Sequence, residues 1–436
     1  MTWRAAALLA AGALTLPAWP APFVGVAVMT GAVLLLIGVD LALAAPLRAL
    51  TAHRDGERSV RLGGTATVTL HLHNTSGRTM RAQVRDAWVP SAGARPDVPP
   101  GRVVHVAPGD VLALPSRLTP TRRGDRPAAT LTVRSLGPLG LAYRQRTGRP
   151  DTPPWTLRVV PRFDARRHLP EKLSRLRVID GTQVGQGRGA GTEFDTLREY
   201  VPGDDVRSID WRASARRAEV LVRSWRPERD RRLVCVLDTG RTSAVRLGDE
   251  PRLDTSIEAT LLLTALAARA GDRVDVLAAD SAARASVLGA ERPAQWPRLA
   301  HTLAPLQPAL TETDYRLIVG ELLRRHRPRS LVVLLTALEP GALGEGLLPV
   351  LPRLTARHRV LVAAAQDPVL VALTSTPPRR PRDAYAAAAA WRTLAERDRL
   401  TAALTRHGVT VVDVPAPRLP SALADAYLHL KATGRL

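Results

Sequence analysis

"RRLVCVLDTGRTS", Arg231 to Ser243, sets a solid apolar run against an abrupt polar stop. Leu233 to Leu237 shows no period-two alternation, so both faces of the segment need burial, as in the central strand of a parallel sheet. The stop at Asp238-Thr239-Gly240 marks the carboxyl end of that strand, where open sheets of this kind bind ligands. Working outward, a helical run extends from Arg252 to Ala270 and closes at Gly271. Strand-like runs follow at "DRVDVLAAD" (272–280), "SLVVLLTAL" (330–338), "HRVLVAAA" (358–365) and "VTVVDV" (409–414), with helical segments near Trp296, Tyr315, Leu348, Ala388 and Leu423. Apolar strands alternating with amphipathic helices predict an α/β domain over residues 231–436, a doubly wound parallel sheet covered on both faces.

Upstream lies a charged segment, residues 163–230, whose densest part is "LREYVPGDDVRSIDWRASAR" (197–216). Glu193, Asp204 and Asp210 interleave with Arg198, Arg207 and Arg216 around Tyr200, Gly203 and Trp211. As chemistry, the three acids would need a histidine or an activated nucleophile beside them, and residues 191–217 contain no histidine. As a nucleic-acid grip, the acids would repel phosphates as the arginines attract them. As a scaffold, bidentate arginine–carboxylate pairs would pin an irregular segment onto the sheet edge, with Trp211 as its apolar anchor. Docking of a partner is compatible with the same residues, since arginines and a tryptophan suit interface anchors. The pattern favours scaffold ahead of docking. The glycine-rich "GQGRGAG" (185–191) follows no apolar strand, so it reads as a lead-in and not as a phosphate cradle.

Residues 57–162 change register. "TATVTLHLHN" (65–74) alternates with period two, and further short strand-like runs follow between Gly, Pro, Asn and Asp punctuation. That spacing predicts a small β-rich, immunoglobulin-like sandwich. His71 and His73 share a strand face at a spacing a metal pair could use, but no third ligand lies near, so a solvated face is the better reading.

The first 50 residues decide the compartment. From Ala5 to Val39 there is no charged residue, a run of 35. One helix needs about 20 apolar residues to cross a bilayer, so the run suggests two spans broken at Pro17-Ala-Trp-Pro-Ala-Pro22. A transmembrane hairpin is predicted, Trp3 to about Ala18 and Phe23 to about Ala45. Arg4 precedes it and Arg48 and Arg54 follow, which by the positive-inside rule places the bulk of the chain in the cytoplasm, at a bacterial plasma membrane. A cleaved signal peptide competes for Ala5 to Leu16, but no small-x-small cleavage site follows it. Asp40 falls at the inner end of the second span, an interfacial position.

The 436-residue chain carries a formal charge of +22, from 62 basic and 40 acidic side chains. Only Lys172 and Lys431 are lysines, a bias that speaks of a GC-rich genome more than of a selected basic stripe. With aromatic residues at 4%, base stacking is poorly served, and nucleic acid is an unpromising partner. Cys235 is the sole cysteine, which excludes an intramolecular disulfide and a cysteine-built metal site. There is no Gly-x-x-x-x-Gly-Lys loop, His-Glu-x-x-His or Gly-x-Ser-x-Gly, so no enzyme is expected.

The spaced pattern Tyr200-x-x-Gly203-Asp204-x-x-Arg207-x-Ile209-Asp210-Trp211, the strand ending at Asp238 and the tail "AYLHLKATGRL" (426–436) resemble the domain of unknown function 58 family. The resemblance covers nearly the whole chain and implies a von Willebrand factor A-like fold, whose adhesion site binds magnesium at the end of the first strand. On this chain that site would use Asp238, Thr242 and Thr313. Gly240 stands where the first serine is expected, and Thr336-Ala337-Leu338 where a second aspartate is expected, so the resembling metal site is degenerate. The resemblance further implies a partner of the MoxR-type AAA+ ATPase class and neighbouring membrane proteins. The function expected is a membrane-anchored protein-interaction module acting with such an ATPase in assembly or maturation of envelope or other protein complexes. The alternative is a metal-dependent hydrolase or binding enzyme at the strand-end cleft. A third reading is a basic protein held on anionic lipid or nucleic acid by charge.

Overall fold

The computed structural model describes residues 2–148, 152–186, 193–202, 204–217, 219–226 and 231–436. They form a mixed α/β protein of two compact units, Met1–Val160 and Pro161–Leu436.

The first unit begins with helices Trp3–Ala13 and Pro22–Leu43. At 1.5 Å per residue the 22-residue second helix reaches about 33 Å, enough for a hydrocarbon core of about 30 Å. The 11 residues of the first reach about 16 Å, roughly half that depth. Only the second is therefore long and apolar enough to cross a membrane, and the segment around it has a mean hydropathy of 2.4. The expected first span to Ala18 ends early: the helix stops at Ala13, and Leu16–Ala18, which contains Pro17, forms a short 3-10 turn.

Two sheets follow. One has the strand order Leu50–Gly56, Ala66–Asn74, Val111–Leu118, Ala94–Pro96. The other runs Ser59–Arg61, Thr156–Val160, Gly124–Leu136, Met80–Trp88, Val103–Val106, with Tyr143–Thr147 also paired to Gly124–Leu136. Alternation explains their packing: Ala66, Val68, Leu70 and Leu72 point inward, while His71 and His73 lie on the other, less buried face of the same strand. Leu70 and Leu72 pack with Met80, Ala82, Leu131 and Val133 of the second sheet. His71 stacks on His53 of the neighbouring strand at 4.6 Å.

Asp40, near the end of the second helix, turns into the protein. It is fully buried, and its carboxylate accepts backbone N–H bonds from Leu139 (2.8 Å), Leu141 (2.7 Å) and Ala142 (3.0 Å). Thr2 at the head of the first helix donates its N–H to the Leu141 carbonyl at 2.9 Å. The 139–142 loop is thereby tied to both N-terminal helices.

In the second unit, label the strands β1 (Arg232–Asp238), β2 (Arg273–Ala279), β3 (Ala283–Val287), β4 (Leu331–Leu335), β5 (Arg359–Gln366) and β6 (Thr410–Pro415). The sheet order is β3-β2-β1-β4-β5-β6, parallel except for β3, which pairs antiparallel with β2. The main helices are α1 (Leu169–Gln186), α2 (Arg252–Arg269), α3 (Tyr315–Arg325), α4 (Pro381–Arg406) and α5 (Leu419–Ala432). β1 feeds both faces: Leu233, Cys235 and Leu237 pack with α2 and α5, while Val234 and Val236 pack with α3. Burial pushes the Cys235 thiol up to about 12, so the folded protein holds it as an unreactive thiol. Helix α1, inside the stretch read as a charged segment, joins this core through Leu176, with Leu169, Leu173 and Ile179 against it.

Asp40→Ala would leave three backbone donors without their acceptor, two of them in buried residues. Each such loss typically costs about 1–3 kcal/mol. We expect the full chain in detergent to melt earlier and to become cleavable at residues 137–142 in limited proteolysis. Unchanged melting and cleavage would show that the carboxylate does not hold the loop.

Candidate functional site

Asp238 ends β1 at the point where strand order reverses between β1 and β4, and its side chain faces a ring of hydroxyls. It is 3% exposed. Oδ1 accepts the Gly240 N–H at 2.8 Å and the Thr313 hydroxyl at 2.5 Å. Oδ2 accepts Thr336 Oγ1 at 2.6 Å and, at 3.4 Å each, Thr242 Oγ1 and the Tyr315 hydroxyl. Tyr315 and Thr336 also bond each other at 2.8 Å. Burial, with the Asp238 charge behind it, pushes the Tyr315 hydroxyl well above its ordinary range, so it remains a donor.

The loops that bring these groups together are tied to one another. Arg241 N–H bonds the Thr311 carbonyl at 2.9 Å, and Ala309 N–H bonds the Thr239 carbonyl at 2.7 Å. Asp314 caps α3 through the Arg316 and Leu317 N–H groups, which delivers Tyr315 at the helix start. Thr239 Oγ1 reaches Asp280, the carboxylate after β2, at 2.9 Å. Burial alone would raise Asp280, but bonds from Arg284, Thr239 and the Ala282 N–H outweigh it and hold the group below the usual carboxylate range. On the far side, buried Arg252 donates to the Thr242 carbonyl (2.6 Å) and to Glu339 (3.1 Å). The sequence singled out Asp238, Thr242 and Thr313. It missed Tyr315, which only the cap at Asp314 could have signalled, and the part of Thr336 as a donor to Asp238.

The charged segment makes its own small sheet, Glu193–Glu199 paired antiparallel with Leu221–Arg226, and among the described residues no strand of it joins the six-stranded sheet of the second unit. This corrects the expectation that it is pinned to that sheet's edge by arginine–carboxylate pairs. The pairs are internal. Arg198 clamps Asp204 with two bonds, 2.6 and 2.7 Å, and Arg223 bonds Asp210 at 3.0 Å. Asp210 also caps the helix Trp211–Arg217 through the Arg212 and Ala213 N–H groups. The Ala213 bond, followed by the Arg223 bond, lowers the Asp210 carboxyl from its ordinary value. Tyr200 N–H bonds the Val220 carbonyl at 2.8 Å. Arg207 and Arg216 are exposed and stand outside both pairs. Trp211 is the second correction: at 68% exposed it anchors nothing within the described residues. Gly203, the Glu193 side chain and residues 187–191 of the glycine-rich run lie outside the described residues.

Residues 196–412, which take in both the charged module and the sheet through β6, match the family described as "Protein of unknown function DUF58". The chain belongs to the DUF58 family. Among curated proteins it is 28% identical over 194 residues to uncharacterized protein Rv1480 of Mycobacterium tuberculosis and, equally, to uncharacterized protein Mb1516 of Mycobacterium bovis. The match takes in 44% of this chain and 60% of each relative, so it spans less than two thirds of their length. Among solved structures, the CARDB domain of the PF1109 protein of Pyrococcus furiosus is 16% identical, covering 26% of this chain and 87% of that one at a TM-score of 0.18. A likeness that weak carries no argument.

Does this DUF58 site fit the magnesium ion of the resembling adhesion site? Such an ion needs about six oxygen ligands in near-octahedral array. Thr242 and Thr313 direct their hydroxyls at Asp238 itself, and Ala337 and Leu338 offer apolar side chains, both buried. A Cβ at Gly240 would press into Thr313 Oγ1, well inside contact distance. The missing serine is therefore linked to the Thr313–Asp238 bond: the hydroxyl stands where that serine would begin. Among the described residues no group of three or more His, Cys, Asp or Glu is placed to hold a metal ion. The donor set does not fit the ion.

Gly240→Ser should accordingly destabilise the chain, by about 1–3 kcal/mol for overpacking of this kind. Adding Thr313→Ala should recover part of that loss by opening the space. Alkylation of Cys235 as a function of denaturant provides the readout, since the thiol is inaccessible until the sheet opens. Equal stability of Gly240→Ser and the parent chain would show that Thr313 yields without cost.

Proposed function

We propose that this DUF58 protein is a membrane-anchored interaction protein, and that the charged module Glu193–Arg226 is its docking face. The observation that carries this is how the module disposes of its side chains. Two of its ion pairs, Arg198–Asp204 and Arg223–Asp210, close within the module, while Val201, Val206, Trp211 and Val220 remain more than 40% exposed. Isolated apolar residues on a surface need no explanation, but four large ones on so short a module point to a partner. Docking thus moves ahead of scaffold.

The partner we propose is the ATPase implied by the family resemblance, of the MoxR-type AAA+ class. For the sheet-bearing unit we propose a von Willebrand factor A-like fold. The β3-β2-β1-β4-β5-β6 order, with Asp238 closing the first strand, supports it. In that fold we propose an adhesion site that works without magnesium, its carboxylate held by hydroxyls. The alternative, a metal-dependent hydrolase at the same cleft, gains nothing from hydroxyls already committed to Asp238. We also propose that the bulk of the chain is cytoplasmic. Support comes from Arg4 and Arg48 flanking the uncharged segment, and from Thr2 and Asp40 meeting one loop, which fits a re-entrant pair of helices with both ends on one side.

Two measurements test this. In a pull-down from the native membrane, Trp211→Ala should retain the parent melting temperature and lose the ATPase. An unchanged catch would remove the docking face. Calorimetry with magnesium on the full chain in detergent should show no micromolar binding, and such binding abolished by Asp238→Ala would restore the metal-dependent reading.

A further inference from the structure

The opposite edge of the sheet, where the parallel strands begin, carries a cleft unrelated to Asp238 and to the docking module. It is a cavity of about 610 Å³, within the range of small-molecule sites. Arg232 and Arg273 line it from the starts of β1 and β2, Arg325 and His326 from the end of α3, and Arg292 from the loop after β3. Four arginines and two acids, Asp275 and Glu291, thus line it, with Arg325 already paired to Glu321.

Those two carboxylates are occupied with backbone. Asp275 accepts the Gly289 N–H at 2.9 Å and Glu291 the Val274 N–H at 2.8 Å, which shapes the turn on which Arg292 rides. Gly289 sits at φ +63°, a left-handed conformation that suits glycine at this turn. The arginines reach the same acids only loosely: Arg232 stands 3.9 Å from Asp275, and Arg292 stands 3.8 Å from Glu291. Elsewhere this chain closes such pairs into two-bond clamps, as Arg198–Asp204 and Arg158–Asp125 do at 2.5–2.9 Å. In the cleft, the Arg232 and Arg292 guanidinium groups therefore keep donor capacity that their nearest carboxylates do not take up. Buried His326 lies 3.5 Å from Arg232 and 3.6 Å from Asp275, and burial holds its imidazole below the ordinary range. It lines the cleft beside both groups.

We propose that this cleft binds a phosphoryl group, with Arg232 and Arg292 as its principal ligands. Planar guanidinium forks match the oxygen edges of phosphate, and strand starts present further arginines, Arg329 and Arg359, along the same edge. The group can belong to a soluble phosphate compound or to a lipid headgroup. The chemistry recognised is the same.

The test titrates inorganic pyrophosphate, and separately a short-chain phosphatidic acid below its micelle concentration, into the full chain in detergent at fixed ionic strength. Arg232→Gln and Arg292→Gln should each weaken binding about tenfold, the loss typical of one charge-assisted hydrogen bond. Arg382→Gln, an exposed arginine outside the cleft, should leave it unchanged and so removes the general effect of a +22 chain. Melting curves identify any variant that fails to fold, and exposed Arg292 carries the test if Arg232→Gln does. Loss confined to the lipid identifies a headgroup, and loss with pyrophosphate as well identifies a soluble phosphate compound. Absence of binding by either probe, or equal affinities across the parent and all three variants, overturns the proposal.

Discussion

A buried carboxylate at the end of the central strand is the constraint on which the second unit turns. Removing an ionised group from water without partners is prohibitively unfavourable, so Asp238 must be surrounded by donors. Here one backbone N–H and four hydroxyls do this, drawn from the loop after β1, the loop before α3, the first residue of α3 and the end of β4. Asp238 thus ties those four segments together, alongside the Arg241–Thr311 and Ala309–Thr239 backbone bonds. A metal ion would bring the same segments together, but as a removable ligand. Here hydroxyls of the chain itself take that part.

Charge is distributed over the sheet with a consistent sense. Strands β1, β2, β4 and β5 are followed by Asp238, Asp280, Glu339 and Asp367, and are preceded or opened by Arg232, Arg273, Arg329 and Arg359. The acid ends are saturated locally: Asp238 by hydroxyls, Asp280 by Arg284, Glu339 by Arg252, and Asp367 by the Val369 N–H it caps. At the arginine ends the pairs are looser. The strand-start end holds Arg232 3.9 Å from Asp275, beside the buried Asp272–Lys431 pair at 3.1 Å.

Much of this was legible in the sequence, for reasons that differ by element. The runs at Leu233–Leu237, Leu331–Leu335 and Val360–Ala365 are continuous and apolar because both sides of each strand are covered, and such runs declare themselves. The edge strand β3, "ARASV", was invisible. One of its faces meets solvent and its residues are small, so no pattern survives. Helix α1 was hidden by its charge, since only its Leu and Ile positions contact the core. Asp40 is a related case. The sequence places the carboxylate at the end of an apolar helix but does not name its partners, which are backbone groups 99–102 residues away that no local pattern can announce.

The charged module shows where sequence reasoning reverses. Interleaved acids and arginines around Trp211 suggest a segment pinned by its charges and seated by that aromatic ring. Both inferences assume that the complementary surface lies on the same chain. Arg198–Asp204 and Arg223–Asp210 instead satisfy one another inside the module, across the short spans of a single strand pair. Once the charges are self-sufficient, the tryptophan is not needed to hold the module together, and it stands in solvent. The same residues that would argue for a scaffold if they reached outward argue for an interface because they do not. The direction in which a charge pair closes is a tertiary fact, and it decides between the two functions.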